Sequence, residues 1–137
     1  MQSDASGPHG FGYLQGALND KNPEYYSAVW DTDYLFHSSH DGELQALKHF
    51  VEETFIREKF VVWVSDSLAA VWSINKGRSR ALISLETVER ILGNCDSKGL
   101  LLVGLWVPRE YNQTADYLSH LAFVLNRSET KGRLTSL

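Results

Sequence analysis

Four acidic side chains stand where elements begin or end: Asp4, Glu43, Asp66 and Asp116. Each has an ordinary explanation. Asp4, in Asp4-Ala-Ser-Gly7, reads as a turn residue, and Glu43 as a first-turn acid complementing a helix dipole. Asp66 reads as an N-cap and Asp116 as a solvated helix charge. Two features argue for chemistry instead. Glu43 shares a helical stripe with Ala46, Leu47 and Phe50, which puts it at the rim of a buried face. Asp66 closes a strand that is otherwise wholly apolar, where a lone charge is costly to desolvate. Carboxylates gathered in one place raise each other's pKa values unless a cation joins them. A hard divalent ion such as Mg²⁺ takes carboxylate oxygens and keeps water on its remaining positions.

The element that must carry Asp66 is Phe60-Val-Val-Trp-Val64, an apolar run without alternation that predicts a strand covered on both faces. After it, Leu68, Val71 and Trp72 fall at helical spacing and Gly77 supplies a stop. A strand that ends in Asp and turns into a helix puts that carboxylate at the carboxyl edge of a sheet, where open α/β sheets keep their ligands. Ahead of it, residues 3–13 predict a strand end, a Gly/Pro turn and a second strand from Phe11 to Ala17. A turn at 19–23 and a third strand from Tyr25 to Trp30 follow. Residues 31–42 predict a polar connection anchored by Tyr34, Leu35 and Phe36. Leu44, Leu47, Val51 and Phe55 define a helix over Glu43–Arg57, capped by Asp41 or Ser39. Lys76-Gly-Arg-Ser-Arg80 is a basic turn, Ala81–Leu92 an amphipathic helix, and Gly99–Val107 a second buried strand. Asn112 caps a last helix reaching about Leu125. The polar residues 126–137 predict a loose tail or linker after a single domain over 1–125. The order gives an α/β fold: three antiparallel strands, then two parallel ones, in a five-stranded mixed sheet flanked by helices.

At 137 residues, 43% apolar and 22% charged, the chain fits one domain with a real core. The net charge of -4 excludes a globally basic nucleic-acid binder, so any such binding needs a local patch. Cys95 is the single cysteine and cannot form an internal disulfide. With no apolar signal core at the start and no apolar run of about 18 residues, the chain is expected to work inside the cell, in cytoplasm or nucleus, and away from membranes. It begins almost inside its first useful motif, as a domain cut from a longer polypeptide would. His9, His37 and His40 show no ligand spacing with Cys95, so zinc is not expected. Trp63 and Trp72 read as core.

Taken in order, Ser3-Asp4-Ala5-Ser6 with Gly10-Phe11-Gly12, Glu43-Leu-Gln-Ala-Leu47, Val64-Ser-Asp66-Ser67 with Asn75-Lys-Gly77, and Val107-Pro-Arg-Glu-Tyr-Asn112-Gln-Thr-Ala115-Asp116-Tyr-Leu-Ser119 resemble ribonuclease H. The nearest type is the domain attached to reverse transcriptases of retroelements, of the long-terminal-repeat and tyrosine-recombinase kinds. The resemblance implies the ribonuclease H-like fold and places the family's metal set on Asp4, Glu43, Asp66 and Asp116. It implies two Mg²⁺ or Mn²⁺ ions, one activating water and one stabilising the leaving 3′-oxygen, and cleavage of the RNA strand of an RNA·DNA hybrid. Ions about 4 Å apart would be bridged by Asp66 or Asp4, with Glu43 near the ribose 2′-hydroxyl. Substrate contacts fall on Ser67, on the basic cluster Lys76, Arg78 and Arg80, on Arg109, and on Asn112. The His that many members carry before the last acid is missing from 107–112. His120 and Glu110 are the residues near enough to replace it, although His120 reads more simply as a surface helix residue. So little basic surface implies weak hybrid binding alone, strengthened by an adjoining reverse transcriptase domain or by dimerisation. Two rival readings remain: another nuclease on the same fold, and a domesticated or degenerate copy serving as a binding or scaffold module. The intact acids argue against the latter, although the short run ahead of Asp4 leaves the first strand weakly pinned and so leaves room for it.

Overall fold

The computed structural model describes residues 1–16, 21–31 and 38–134 of the chain; the expected anchor Tyr34-Leu-Phe36, His37, Ala17 and the turn residues 19 and 20 lie outside them. The order is β1 (Gln2–Ser6), β2 (Gly10–Gln15), β3 (Glu24–Ala28), α1 (Ser39–Glu53), β4 (Phe60–Ser65), α2 (Leu68–Lys76), α3 (Leu82–Ser97), β5 (Leu101–Trp106), α4 (Gln113–Val124) and β6 (Glu129–Arg133). The strands form one mixed sheet in the order β5-β4-β1-β2-β3-β6. β1, β2 and β3 are antiparallel, while β4 runs parallel to both β1 and β5. The fold class is as expected, with six strands where five were predicted.

The sixth strand corrects the reading of the C-terminal end. Glu129–Arg133 is polar, but polarity suits an edge strand that faces water, and it pairs antiparallel with β3 from Ala28↔Glu129 to Glu24↔Arg133. Tyr26 donates to Glu129 across this pair at 2.6 Å, and Arg133 meets Glu24 at 3.0 Å. β1 is also held better than its length suggested. It pairs with β2 over five residues, and the Met1 amine donates to the Val62 carbonyl at 2.9 Å.

Strand alternation distributes the core. Phe11 and Tyr13 in β2 pack toward α1, near His49 and Phe50, and Gly12 between them faces α4. Leu44, Leu47 and Val51 of α1, Trp63 of β4 and Val88 and Ile91 of α3 are fully buried, each contributing on the order of 1.5–3 kcal/mol through lost water contact. The two apolar runs were expected to be buried strands; the structure buries only one face of β4. Val61, Trp63 and Ser65 point inward, whereas Phe60 and Val62 are exposed, and on β5 Leu101, Val103 and Leu105 are exposed as well. α4 lies across β1, β2 and β3 and leaves this end of the sheet uncovered.

Helix boundaries follow local chemistry. α1 starts at Ser39 rather than Glu43, and its cap is Ser38, whose hydroxyl accepts from the Asp41 amide. Ser67 caps α2, and Gly77 ends it in the left-handed region at φ 69°. α4 is docked by close approach at Gly12: a Cβ there would lie 2.5 Å from the Leu118 Cβ and 2.4 Å from its carbonyl carbon. The Ser27 hydroxyl, buried on β3, bonds the Leu118 carbonyl and the Ala122 amide of the same helix. Gly12→Ala is therefore expected to displace α4, at a cost of about 1–3 kcal/mol and a fall of about 3–10 °C in Tm. A circular-dichroism melt matching the parent protein would contradict this account of α4 docking.

Candidate active site

β1 and β4 pair only at Gln2↔Val64. Beyond that point no further partners join the two strands, and the next residues on each are Ser3-Asp4 and Ser65-Asp66. The gap opens at the carboxyl edge of these parallel neighbours, the position expected from the sequence. Glu43 comes down into it from the first half of α1. One carboxylate oxygen from each of Asp4, Glu43 and Asp66 lies within 4.8 Å of the others. Among the described residues this is the one group of three potential metal ligands. Asp4 and Glu43 are buried and Asp66 is half-buried.

The burial has an electrostatic consequence. Asp4 is pushed up to about 6, mainly by desolvation, with the nearby Asp66 charge and a contact from the Asp116 carboxyl adding to the rise. Glu43 is raised well above the ordinary carboxyl range, again chiefly by burial and then by Asp4 and Asp66. Hydrogen-bond donors partly offset this. The Ala5 amide donates to Asp4 Oδ1 and Glu43 Oε1, both at 3.0 Å. The Ser65 hydroxyl lies 3.1 Å and the Ser3 hydroxyl 3.5 Å from Glu43 Oε2. An all-oxygen set of closely spaced carboxylates whose charges are mutually unfavourable fits a hard divalent cation such as Mg²⁺ or Mn²⁺.

Asp116 enters from the other side of the sheet, in the first turn of α4. Its side chain is 59% exposed and stands outside the three-acid group, although it reaches Asp4. His120, one turn on, is more than a surface residue: its Nε2 is 3.7 Å from Asp116 Oδ1 and its Nδ1 is 2.5 Å from His9 Nδ1. His9 in turn stacks on Phe123 at 4.0 Å. Glu110 is exposed on the short 3₁₀ turn Arg109–Tyr111.

The expected substrate contacts divide. Lys76, Arg78, Arg80 and Arg109 are exposed, and the Arg78 guanidinium lies 5.5 Å from the Trp72 ring centroid, so Trp72 is 39% exposed rather than core. Ser67 spends its hydroxyl on capping α2, beside Asp66. Asn112 is a correction on two counts. It is fully buried, donating to the Ser3 carbonyl at 3.0 Å and accepting from Gln2 Nε2 at 2.7 Å, so it fastens the loop before α4 to β1 and cannot meet a substrate. Nor does its side chain cap α4. Missed altogether were the hydroxyls of Ser3 and Ser65. The signal was present, because a Ser-Asp pair occurs on both central strands, within β1 and at the end of β4, and the period of two turns each Ser toward the face that α1 covers.

No family model matches the chain, and no curated protein matches it either. Solved structures do. The RNase H1 called LC11, crystallised with an RNA/DNA hybrid, is 16% identical with a TM-score of 0.50, over 90% of this chain and 96% of that one. The N-terminal RNase H domain of a Mycobacterium tuberculosis protein, solved as a fusion with maltose-binding protein, is 17% identical with a TM-score of 0.47, over 85% and 93%. RNase H1 from the halophilic archaeon Halobacterium salinarum is 15% identical with a TM-score of 0.45, over 85% and 90%. With its mixed sheet and flanking helices, the chain has the ribonuclease H-like fold.

Proposed function

We propose that the chain is a metal-dependent endonuclease that hydrolyses the RNA strand of RNA·DNA hybrids. The observation that carries this reading is the convergence of Asp4, Glu43 and Asp66, from three separate elements, on one anionic pocket at the carboxyl edge of the sheet. Asp4, Glu43, Asp66 and, from the rim, Asp116 would hold two Mg²⁺ or Mn²⁺ ions. Such a pair supplies an activated water and stabilises the leaving oxygen. The chain's own part is to fix the carboxylates: Ala5, Ser3 and Ser65 donate to them, and α4 docks on Gly12 to bring Asp116 to the rim. A fold neighbour bound to RNA/DNA hybrid supports the substrate class. The likeness of Asn112-Gln-Thr-Ala115-Asp116-Tyr-Leu-Ser119 to retroelement enzymes supports a role beside a reverse transcriptase domain.

The test uses purified chain, Mg²⁺ and a hybrid labelled on the RNA strand, with duplex DNA as competitor. Nicks in RNA alone are expected. Cleavage of duplex DNA at a similar rate would indicate a different nuclease on this fold, and binding without metal-dependent cleavage would indicate a scaffold. Lys76, Arg78, Arg80 and Arg109 are the proposed phosphate contacts. The triple variant Lys76→Gln/Arg78→Gln/Arg80→Gln should weaken hybrid binding about 10–100-fold and flatten the log Kd against log salt slope by about 2–3. An unchanged slope would leave these residues as a solvated turn.

A further inference from the structure

Trp63 is fully buried on β4, and its indole N–H can only donate a hydrogen bond. It donates to Ser3 Oγ at 2.9 Å. A serine hydroxyl carries one proton and two lone pairs. With a lone pair taken by Trp63, the Ser3 proton is left for its other partner, Glu43 Oε2. Ser65 repeats the pattern. The Ser67 amide donates to Ser65 Oγ at 3.1 Å, and the Ser65 proton faces the same Glu43 oxygen at 3.1 Å.

Resting on the proposed metal-dependent reading, we propose that Trp63 is a positioning residue for Glu43, acting through Ser3. Two N–H donors, one from the Trp63 indole and one from the Ser67 backbone, stand behind two hydroxyls and aim both protons at Oε2. That oxygen is thereby committed to the protein. Oε1, which shares the Ala5 amide with Asp4 Oδ1, is left with lone-pair capacity toward the pocket. The Ser3–Glu43 contact, at 3.5 Å, is the longest of these four bonds. Without the indole N–H the Ser3 hydroxyl is free to rotate, and Glu43 loses one of the two hydroxyl contacts that hold Oε2. Partners that orient a metal's ligands typically govern affinity by about 10–100-fold. A purely packing role for Trp63 would need the ring and not the N–H, so the two are separable.

The experiment measures Mg²⁺ affinity of the full chain by calorimetry, with Mn²⁺ spectroscopy as a second readout, for Trp63→Phe, Ser3→Ala and the double variant. Each single change should weaken binding about 10-fold, and the double variant should be no weaker than the poorer single, because both break the same link. Hybrid binding in EDTA should stay as in the parent. Ile91→Val, a buried change on α3, which carries none of the four acids, controls for lost stability and should leave Mg²⁺ affinity unchanged. If Trp63→Phe fails to fold, Trp63→benzothienylalanine keeps the bicyclic volume and removes only the N–H, with the same expectation. Parent-like affinity in the Trp63 variants, or effects that multiply in the double variant, would overturn the positioning role while the metal reading stands. A parent protein that binds no Mg²⁺ would overturn both.

Discussion

Asp4→Asn is expected to abolish hybrid cleavage and, in EDTA, to make the protein more stable. The opposite signs have one cause. Asp4 is only 8% exposed, with the Asp66 charge and the Asp116 carboxyl beside it, which is why its carboxyl is held at about 6. At pH 7.5 the metal-free protein must keep that carboxylate ionised in a place that disfavours charge. Asn has the same shape, can still accept from the Ala5 amide and carries no charge. Removing the penalty is worth about 1–3 kcal/mol, or about 3–10 °C in Tm for a domain of this size. Cleavage should fall by about 10³-fold or more, because a ligand at the reacting centre is lost. Asp66→Asn should lose activity to the same extent with a smaller gain in stability, since Asp66 is half-buried. Activity assays with Mg²⁺ and melts in EDTA read the two effects separately. An Asp4→Asn protein that is both inactive and less stable would mean the carboxylate is a structural anchor, and that the pocket was not shaped around charge awaiting a cation.

How much of this could be read from residue order depends on whether the governing interaction is local. β4 closing just before Asp66, the stop at Gly77 and the helical stripe that puts Glu43 on the covered side of α1 are products of period and capping, and the structure agrees with them, burying Glu43 deeper than the expected rim. The convergence of acids far apart in the chain could be stated only from the resemblance, because nothing in spacing alone says that residue 4 meets residue 66. The errors are tertiary. An apolar run such as Phe60–Val64 cannot reveal that α4 stops short of it, so one face stays bare. Glu129–Arg133 lacks any apolar signal because β6 is an edge strand whose hydrogen bonds, not its burial, hold it to β3. Asn112 is polar, in a loop and inside a substrate-like motif, yet it is wholly buried by two bonds to β1, a choice set by a neighbour over a hundred residues earlier. The hydroxyls of Ser3 and Ser65 are masked in the sequence by the charged residue beside each.

Stability should also depend on pH in the direction opposite to ordinary acid denaturation, and Mg²⁺ should cancel that dependence. The folded-state pKa of Asp4 is raised from 3.8 to about 6, and that of Glu43 is raised well above 4.5, burial being the main cause for both. Groups whose folded pKa exceeds the unfolded value contribute stability that is fully present below the unfolded pKa and lost as pH rises through the folded one. In EDTA, stability should therefore fall between about pH 4 and pH 6 as Asp4 ionises, by about 2–3 kcal/mol, and Glu43, raised well above 4.5, should add to the loss in the same direction. A divalent ion binds the ionised set. At pH 8 and a concentration about 100 times its Kd it should add about 2.7 kcal/mol, or about 5–10 °C. At pH 5 protons occupy the same oxygens, and the shift should shrink to about 2 °C or less. Melts at both pH values, with Mg²⁺ and with EDTA, decide the matter. An equal Mg²⁺ shift at pH 5 and pH 8 would mean that the ion binds elsewhere on the surface, because an ion competing with protons for Asp4 and Glu43 must feel their titration.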